Sequence, residues 1–309
     1  MKKVIYIMPL LDIDLEKGSR CLNKARSVLN SSNVVVEFLV VLQTTNPSND
    51  LSSLIFSKSI EVLVIPNIGT SVARNHGIEY ALNKGYNFIG FLDAGIFMSN
   101  NFGCAINRFL SKDVDEIFCG ALSWVDCAVF DDIANDDQFE KSSIDMYKRL
   151  SSHLIRPLRD TYVGCFLFPS KEIRRNRFNP ALGPGTRNSL CSGEDVDFLI
   201  RIFGYNNLTI NHCKTALIYH EKRKGNAKRL QYAVGQGALY RFLVSKALLT
   251  NSYLISIRIH ILFYFILFCT RSIIIFISNG QIGREIFKRR FFGFFNRGFQ
   301  SNFSVDTGE

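Results

Sequence analysis

Apolar positions in the first 220 residues fall into short β-branched runs, separated by stretches in which they recur at helical spacing. Val4–Met8 is the first run. It reads as a buried strand rather than a secretory leader, because it is short and no small-residue cleavage site follows. A helical pattern covers Lys17–Leu29. "NVVVEFLVVLQ" is a continuous apolar run, as expected of a strand covered on both faces. "IEVLVIP" is a third strand, closed by Pro66. In "NIGTSVARNHGIEYALNKGYN", Ser71 is placed to cap a helix that opens with Val72, Ala73 and Arg74, and Gly85 is placed to stop it. "FIGFLD" is the fourth strand. This order predicts an α/β fold with an open, mostly parallel sheet flanked by helices. Such sheets bind ligands at the carboxyl ends of their strands, and Asp93 lies at such an end.

Residues 131–160 are acidic first and then basic, and read as a mobile connection or lid. "TYVGCFLF" has the pattern of a strand. "FNPALGPGTRNSLCSGEDVDFLIRIFGYN" combines a Gly/Pro/Ser loop with a helix beginning near Glu194. "TALIYH" is a strand ending at His220. The pattern then changes, which divides the chain into residues 1–220 and a helical region, 221–309. "SYLISIRIHILFYFILFCTRSIIIFIS" is long enough to cross a bilayer. Arg258, His260 and Arg271 interrupt it, however, and a central Arg costs roughly 2.5–3.5 kcal/mol on insertion scales. The following "REIFKRRFFGFFNRGF" mixes cations with Phe. In-plane, peripheral attachment to an anionic membrane surface fits this mixture better than a span.

Charge sharpens that division. The 309 residues carry a formal charge of +10, from 37 Lys+Arg against 27 Asp+Glu. Residues 1–220 hold 23 of each, leaving 14 Lys+Arg and 4 Asp+Glu for residues 221–309. The whole excess therefore lies in the last part of the chain and points to a phosphate-bearing partner. Nucleic acid is the poorer choice, because the cations are interleaved with an apolar run that would be exposed in solution. The eight cysteines include no CxxC pair, which gives no support to a zinc site or a disulfide framework.

Three blocks, "GTSVARNHGIEYA", "FLDAG" and "GPGTRNSLCSGEDVDFLIR", together resemble the family 2 glycosyltransferases of GT-A fold, in particular bacterial members that build capsule or O-antigen. The resemblance covers about residues 1–220. It implies an inverting transfer of a sugar from a nucleoside diphosphate donor, UDP-linked in the first instance. The acceptor implied is a lipid-linked oligosaccharide, at the cytoplasmic face of the inner membrane. It places Asp195 as the base that deprotonates the acceptor hydroxyl, with Glu194 orienting the acceptor or its loop. Asp197 then reads as a cap or surface residue.

Asp93 is implied to contact the donor and a Mg2+ or Mn2+ ion, and His220 to join the metal or the diphosphate. The family's Asp-x-Asp motif here reads Asp93-Ala94-Gly95, without its second carboxylate. Arg74 and Asn75 match positions beside the donor pocket, with Gly69 at the head of their block. The nucleotide end departs most from the pattern, in "MPLLDID" and "VLQTTNPSND". Pro9 and Gln43 keep their places, and Asp12 or Gln43 is left to read the base. The missing carboxylate and the altered nucleotide turns also suit a non-catalytic sugar-nucleotide or glycan-binding subunit. The Glu194-Asp195 pair argues against that reading.

Overall fold

The computed structural model describes residues 2–29, 35–45, 60–112, 115–126, 147–151, 162–185, 190, 192–205, 207–221, 226–249 and 254–296. Strand β1 (Lys3–Leu11) leads through a short 3-10 turn, Asp12–Asp14, into helix α1 (Leu15–Leu29). Strands β2 (Val35–Thr44) and β3 (Glu61–Pro66) precede helix α2 (Thr70–Asn83). Next come β4 (Phe88–Phe91), β5 (Ile96–Met98), α3 (Asn100–Leu110), β6 (Ile117–Val125), β7 (Tyr147–Ser151), β8 (Phe166–Pro169) and the single turn α4 (Ser170–Arg174). Helix α5 (Glu194–Tyr205) and β9 (Thr209–Glu221) follow, and three helices close the chain: α6 (Asn226–Leu249), α7 (Ile255–Ser278) and α8 (Gly280–Phe295).

The described strands form one sheet in the order β3-β2-β1-β4-β8-β6-β9-β5, with β7 also paired to β9. The β3-β2-β1-β4 half is parallel, as is the β6–β9 pair. Strands β8, β5 and β7 enter antiparallel. The β-branched runs occupy the centre: Val4–Met8 and Phe38–Leu42 are buried, since helices cover both faces there. The segment expected to be a lid lies largely outside the described residues. Its part at 147–151 is strand β7, held along the first half of β9. Within "TYVGCFLF", Val163–Cys165 form a 3-10 turn and Phe166 begins β8.

Helix α2 stops as its sequence predicts. Gly85 has φ +73°, its N–H bonds to Leu82 O, and the Tyr86 N–H bonds to Ala81 O. These are the two bonds of a Schellman stop. The start of α2 differs from expectation. Gly69 (φ +105°) occupies the N-cap position, and the Ser71 hydroxyl instead donates to Leu182 O at 2.6 Å. The Thr70 N–H bonds to Pro184 O. The helix start is thus stitched to the Gly/Pro loop, about a hundred residues away in sequence.

The C-terminal helices pack on α5 through Leu239, Leu243, Ile257 and Ile261 against Ile200. Helices α6 and α8 meet at glycines: a Cβ on Gly237 would lie 2.0 Å from Arg290 O, and one on Gly293 would lie 2.1 Å from Val234 O. Helix α7 is the one described helix long and apolar enough to cross a membrane, with mean hydropathy 2.2 over its most apolar window.

Candidate active site

The site lies at the carboxyl end of β4, where the chain turns out of the sheet at Asp93. Its centre is Arg74, on the second turn of α2 and 1% exposed. One arm of the guanidinium donates to Asp195 Oδ1 at 2.7 Å. The other donates to Asp93 Oδ1 at 3.0 Å and reaches Oδ2 at 3.3 Å. The guanidinium carbon sits 4.9 Å from the centre of the Phe178 ring, which stacks on Phe198 at 4.0 Å. A planar fork on an aromatic floor can hold two carboxylates in fixed relative positions, which a lysine cannot do. The sheet-end carboxylate and the α5 carboxylate are thereby joined through one buried cation.

Each carboxylate has a further partner. The Tyr162 hydroxyl donates to Asp93 Oδ2 at 3.0 Å, and the Val163 N–H donates to Asp195 Oδ2 at 3.2 Å. Desolvation pushes Asp93 up, but the Arg74 charge and hydrogen bonds, with His220 and Tyr162, outweigh it and hold the carboxyl below its ordinary range. Desolvation prevails at Asp195, which is raised even though Arg74 opposes the shift. Glu194 is pushed up to about 7 by desolvation and by the neighbouring Asp195. Adjacent carboxyls driven upward at the first turn of a helix are the environment in which a general base is tuned towards neutral pH.

The fold agrees with solved structures. Crystal structures of S. aureus TarS superpose with TM-score 0.53 at 13% identity, over 81% of this chain and 40% of that one. TarS 1-349 gives 0.54 at 15% identity, over 97% and 74%. TarS 1-349 in complex with UDP-GlcNAc gives 0.51 at 15%, over 79% and 67%. The chain has a glycosyltransferase fold. It spans 40% of the length of the full TarS chain it matches. No family model matches the sequence, and no curated protein does either.

The other residues singled out in the sequence take separate places around this centre. Asn75 is tied to the Phe178 backbone: its amide donates to Phe178 O and accepts from the Phe178 N–H, both at 2.8 Å. Gln43 is buried, and its Oε1 accepts the Gly69 N–H at 2.9 Å. Gln43 and Gly69 therefore set the start of α2. Pro9 lies within β1, in register with Val41 of β2. Asp12 stands at the tip of β1 and accepts from the Ile13 N–H and the Thr44 hydroxyl. It is thus a polar group at the outer strand ends, where Gln43 is already engaged. Asp197 is not a surface residue. It is 1% exposed and paired with Arg201 one turn later, at 2.7 Å.

The described residues offer the expected metal few protein ligands. Among the described residues no group of three His, Cys, Asp or Glu side chains is placed to hold an ion. Both Asp93 oxygens already accept hydrogen bonds, and the Arg74 charge stands against them. A hard divalent cation here would have to draw most of its oxygen ligands from water and the diphosphate. His220 is 8% exposed, with its ring 4.5 Å from Trp124 and 5.4 Å from Tyr162. Its Nδ1 lies 2.9 Å from the Glu221 carbonyl oxygen. Tyr162, Trp124, Lys17 and Glu221 also belong to this end of the cleft. None sits in the three sequence blocks; Trp124 and Glu221 lie at the ends of β6 and β9, whereas Lys17 on α1 and Tyr162 before a 3-10 turn carry no such signal.

Proposed function

We propose that this chain is an inverting glycosyltransferase of the family 2 type, moving a sugar from a nucleoside diphosphate donor, UDP-linked, to a lipid-linked glycan acceptor in bacterial surface polysaccharide synthesis. The observation that carries this reading is Arg74, buried between Asp93 and Asp195. It holds the donor-side carboxylate and the base-side carboxylate at one cleft, as in-line displacement requires. Asp195 takes the proton from the acceptor hydroxyl. The oxygen attacks the anomeric carbon, and the bond to the diphosphate breaks with its electron pair leaving on oxygen. The likeness in fold to TarS 1-349, solved with UDP-GlcNAc, supports a uridine donor.

An acceptor on a lipid carrier is supported by the packing of α5 on α6 and α7, and by a cleft of about 280 Å3 between α7 and α8. Phe265, Phe268, Ile273, Phe287, Phe291 and Phe294 are among the residues lining it. The place proposed for the protein is the cytoplasmic face of the inner membrane, held peripherally. The test is Asp195→Asn. We expect transfer to fall by about 100-fold or more while UDP binding and the thermal transition persist. Turnover at the wild-type rate would remove Asp195 from the role of base.

A further inference from the structure

Gly95 stands where the Asp-x-Asp pattern carries its second carboxylate, and Lys17 and His220 border the space beside it. A Cβ built on Gly95 would lie 3.7 Å from Lys17 Nζ, 3.9 Å from Lys17 Cε and 3.8 Å from His220 Cε1. Lys17 is fixed there from two sides. Its ammonium pairs with Glu221 Oε2, at the end of β9, at 2.6 Å. One turn further along the same face of α1, the Cys21 thiol bonds to Ala94 O at 3.3 Å and pins the helix to the turn that contains Gly95. An ammonium therefore occupies the neighbourhood of the absent carboxylate. The two changes, a carboxylate lost at 95 and a cation held beside it, are opposite in sign to what a metal site needs.

We propose that Lys17 supplies the positive charge at the leaving diphosphate and that donor binding and transfer proceed without a divalent metal ion. The inference rests on the glycosyltransferase reading above. In the transfer step the acceptor oxygen bonds to the anomeric carbon while the bond from that carbon to the diphosphate oxygen breaks. The electron pair goes to the diphosphate, and the acceptor proton goes to Asp195. The charge gained by the diphosphate is met by the Lys17 ammonium, a compact point charge that suits phosphate, and no proton need pass to it. The Glu221 tether keeps the ammonium at the cleft before the donor arrives. Its side chain is 43% exposed, so it borders solvent and a ligand can approach it.

The test is calorimetric titration of the full chain with UDP, in EDTA and in Mn2+. Wild type, Lys17→Arg, Lys17→Gln and the double variant Lys17→Ala/Gly95→Asp are compared. We expect wild type to bind UDP equally in EDTA and Mn2+. Lys17→Gln should bind about 10- to 100-fold more weakly, the worth of a charge-assisted contact, and Lys17→Arg should keep most of the affinity. In the double variant Mn2+ should restore binding, because the ammonium is gone and a second carboxylate is present. Near-UV circular dichroism checks that each variant is folded. Wild-type binding that appears only with Mn2+ would overturn the role of Lys17 and leave the donor site standing. No UDP binding in either condition would overturn the donor site itself, and this inference with it.

Discussion

Arg74 concentrates the electrostatics of the cleft in one side chain. It is buried, and its two arms serve Asp195 and Asp93. Removing it leaves two carboxylates near one another without their cation, and breaking such a pair from one side costs about 3 kcal/mol or more. Arg74→Ala should lower the urea midpoint accordingly, and Arg74→Lys should fall between it and wild type, since an ammonium cannot fork to both acids. Arg74→Ala as stable as wild type would show that the ion pairs contribute nothing to the fold. Glu194 gives a second residue-scale expectation. Its folded pKa, about 7, lies above its ordinary 4.5, so the folded state holds a proton that the unfolded chain releases. Stability from this group is full below about pH 4.5 and is lost as pH rises towards 7. Glu194→Gln should flatten that window in chemical denaturation curves measured from pH 4.5 to 7.5. Asp93 has the opposite sign: its contribution is present above its ordinary range and is lost in more acidic solution.

At the scale of elements, legibility followed the range of the interactions involved. Strands β1 to β4 and helix α2 were readable because continuous β-branched runs and the Gly85 stop act locally. Strands β5, β6 and β7 gave no clear signal. They are short or irregular, and their place is fixed by β9, which pairs with all three from far along the chain. Within the candidate site, Asp93, Arg74 and Asp195 stood in recognisable blocks, and the structure brings them together. Asn75, in the same block as Arg74, has its amide turned to the Phe178 backbone, a partner 103 residues away that periodicity could not indicate. Asn75→Asp retains the acceptor but not the donor, leaving Phe178 O without its bond at a cost of about 1–3 kcal/mol. We expect a lower melting temperature with UDP affinity unchanged in the folded protein. An unchanged melting temperature with lost UDP binding would return Asn75 to the donor pocket.

For the whole molecule, the C-terminal helices decide how it meets its surroundings. The glycine contacts let α6 and α8 approach closely, fixing α8 to the body of the chain. Helix α7 then presents Ile255, Ile259, Phe263, Ile266, Ile273 and Ile277 outward, each more than half exposed. Their spacing puts them along one stripe of the helix. Exposed apolar surface on this scale marks a membrane or a partner. Helix α8 adds Phe291, Phe292 and Phe295 near its end, after the exposed cations Arg284, Lys288 and Arg289. Cations followed by aromatics along one helix suit anionic headgroups above an acyl boundary, each cation near the surface contributing about 1 kcal/mol. We therefore expect the protein to float with vesicles rich in phosphatidylglycerol and only weakly with pure phosphatidylcholine. Raised salt should reduce the bound fraction, and so should changing Phe291, Phe292 and Phe295 together to Ser. Extraction at pH 11 separates in-plane attachment from a span: a helix lying in the interface is released by carbonate, whereas one that crosses the bilayer stays. Retention after carbonate would identify α7 as a transmembrane helix and overturn peripheral attachment, while leaving the cleft at Arg74 as described.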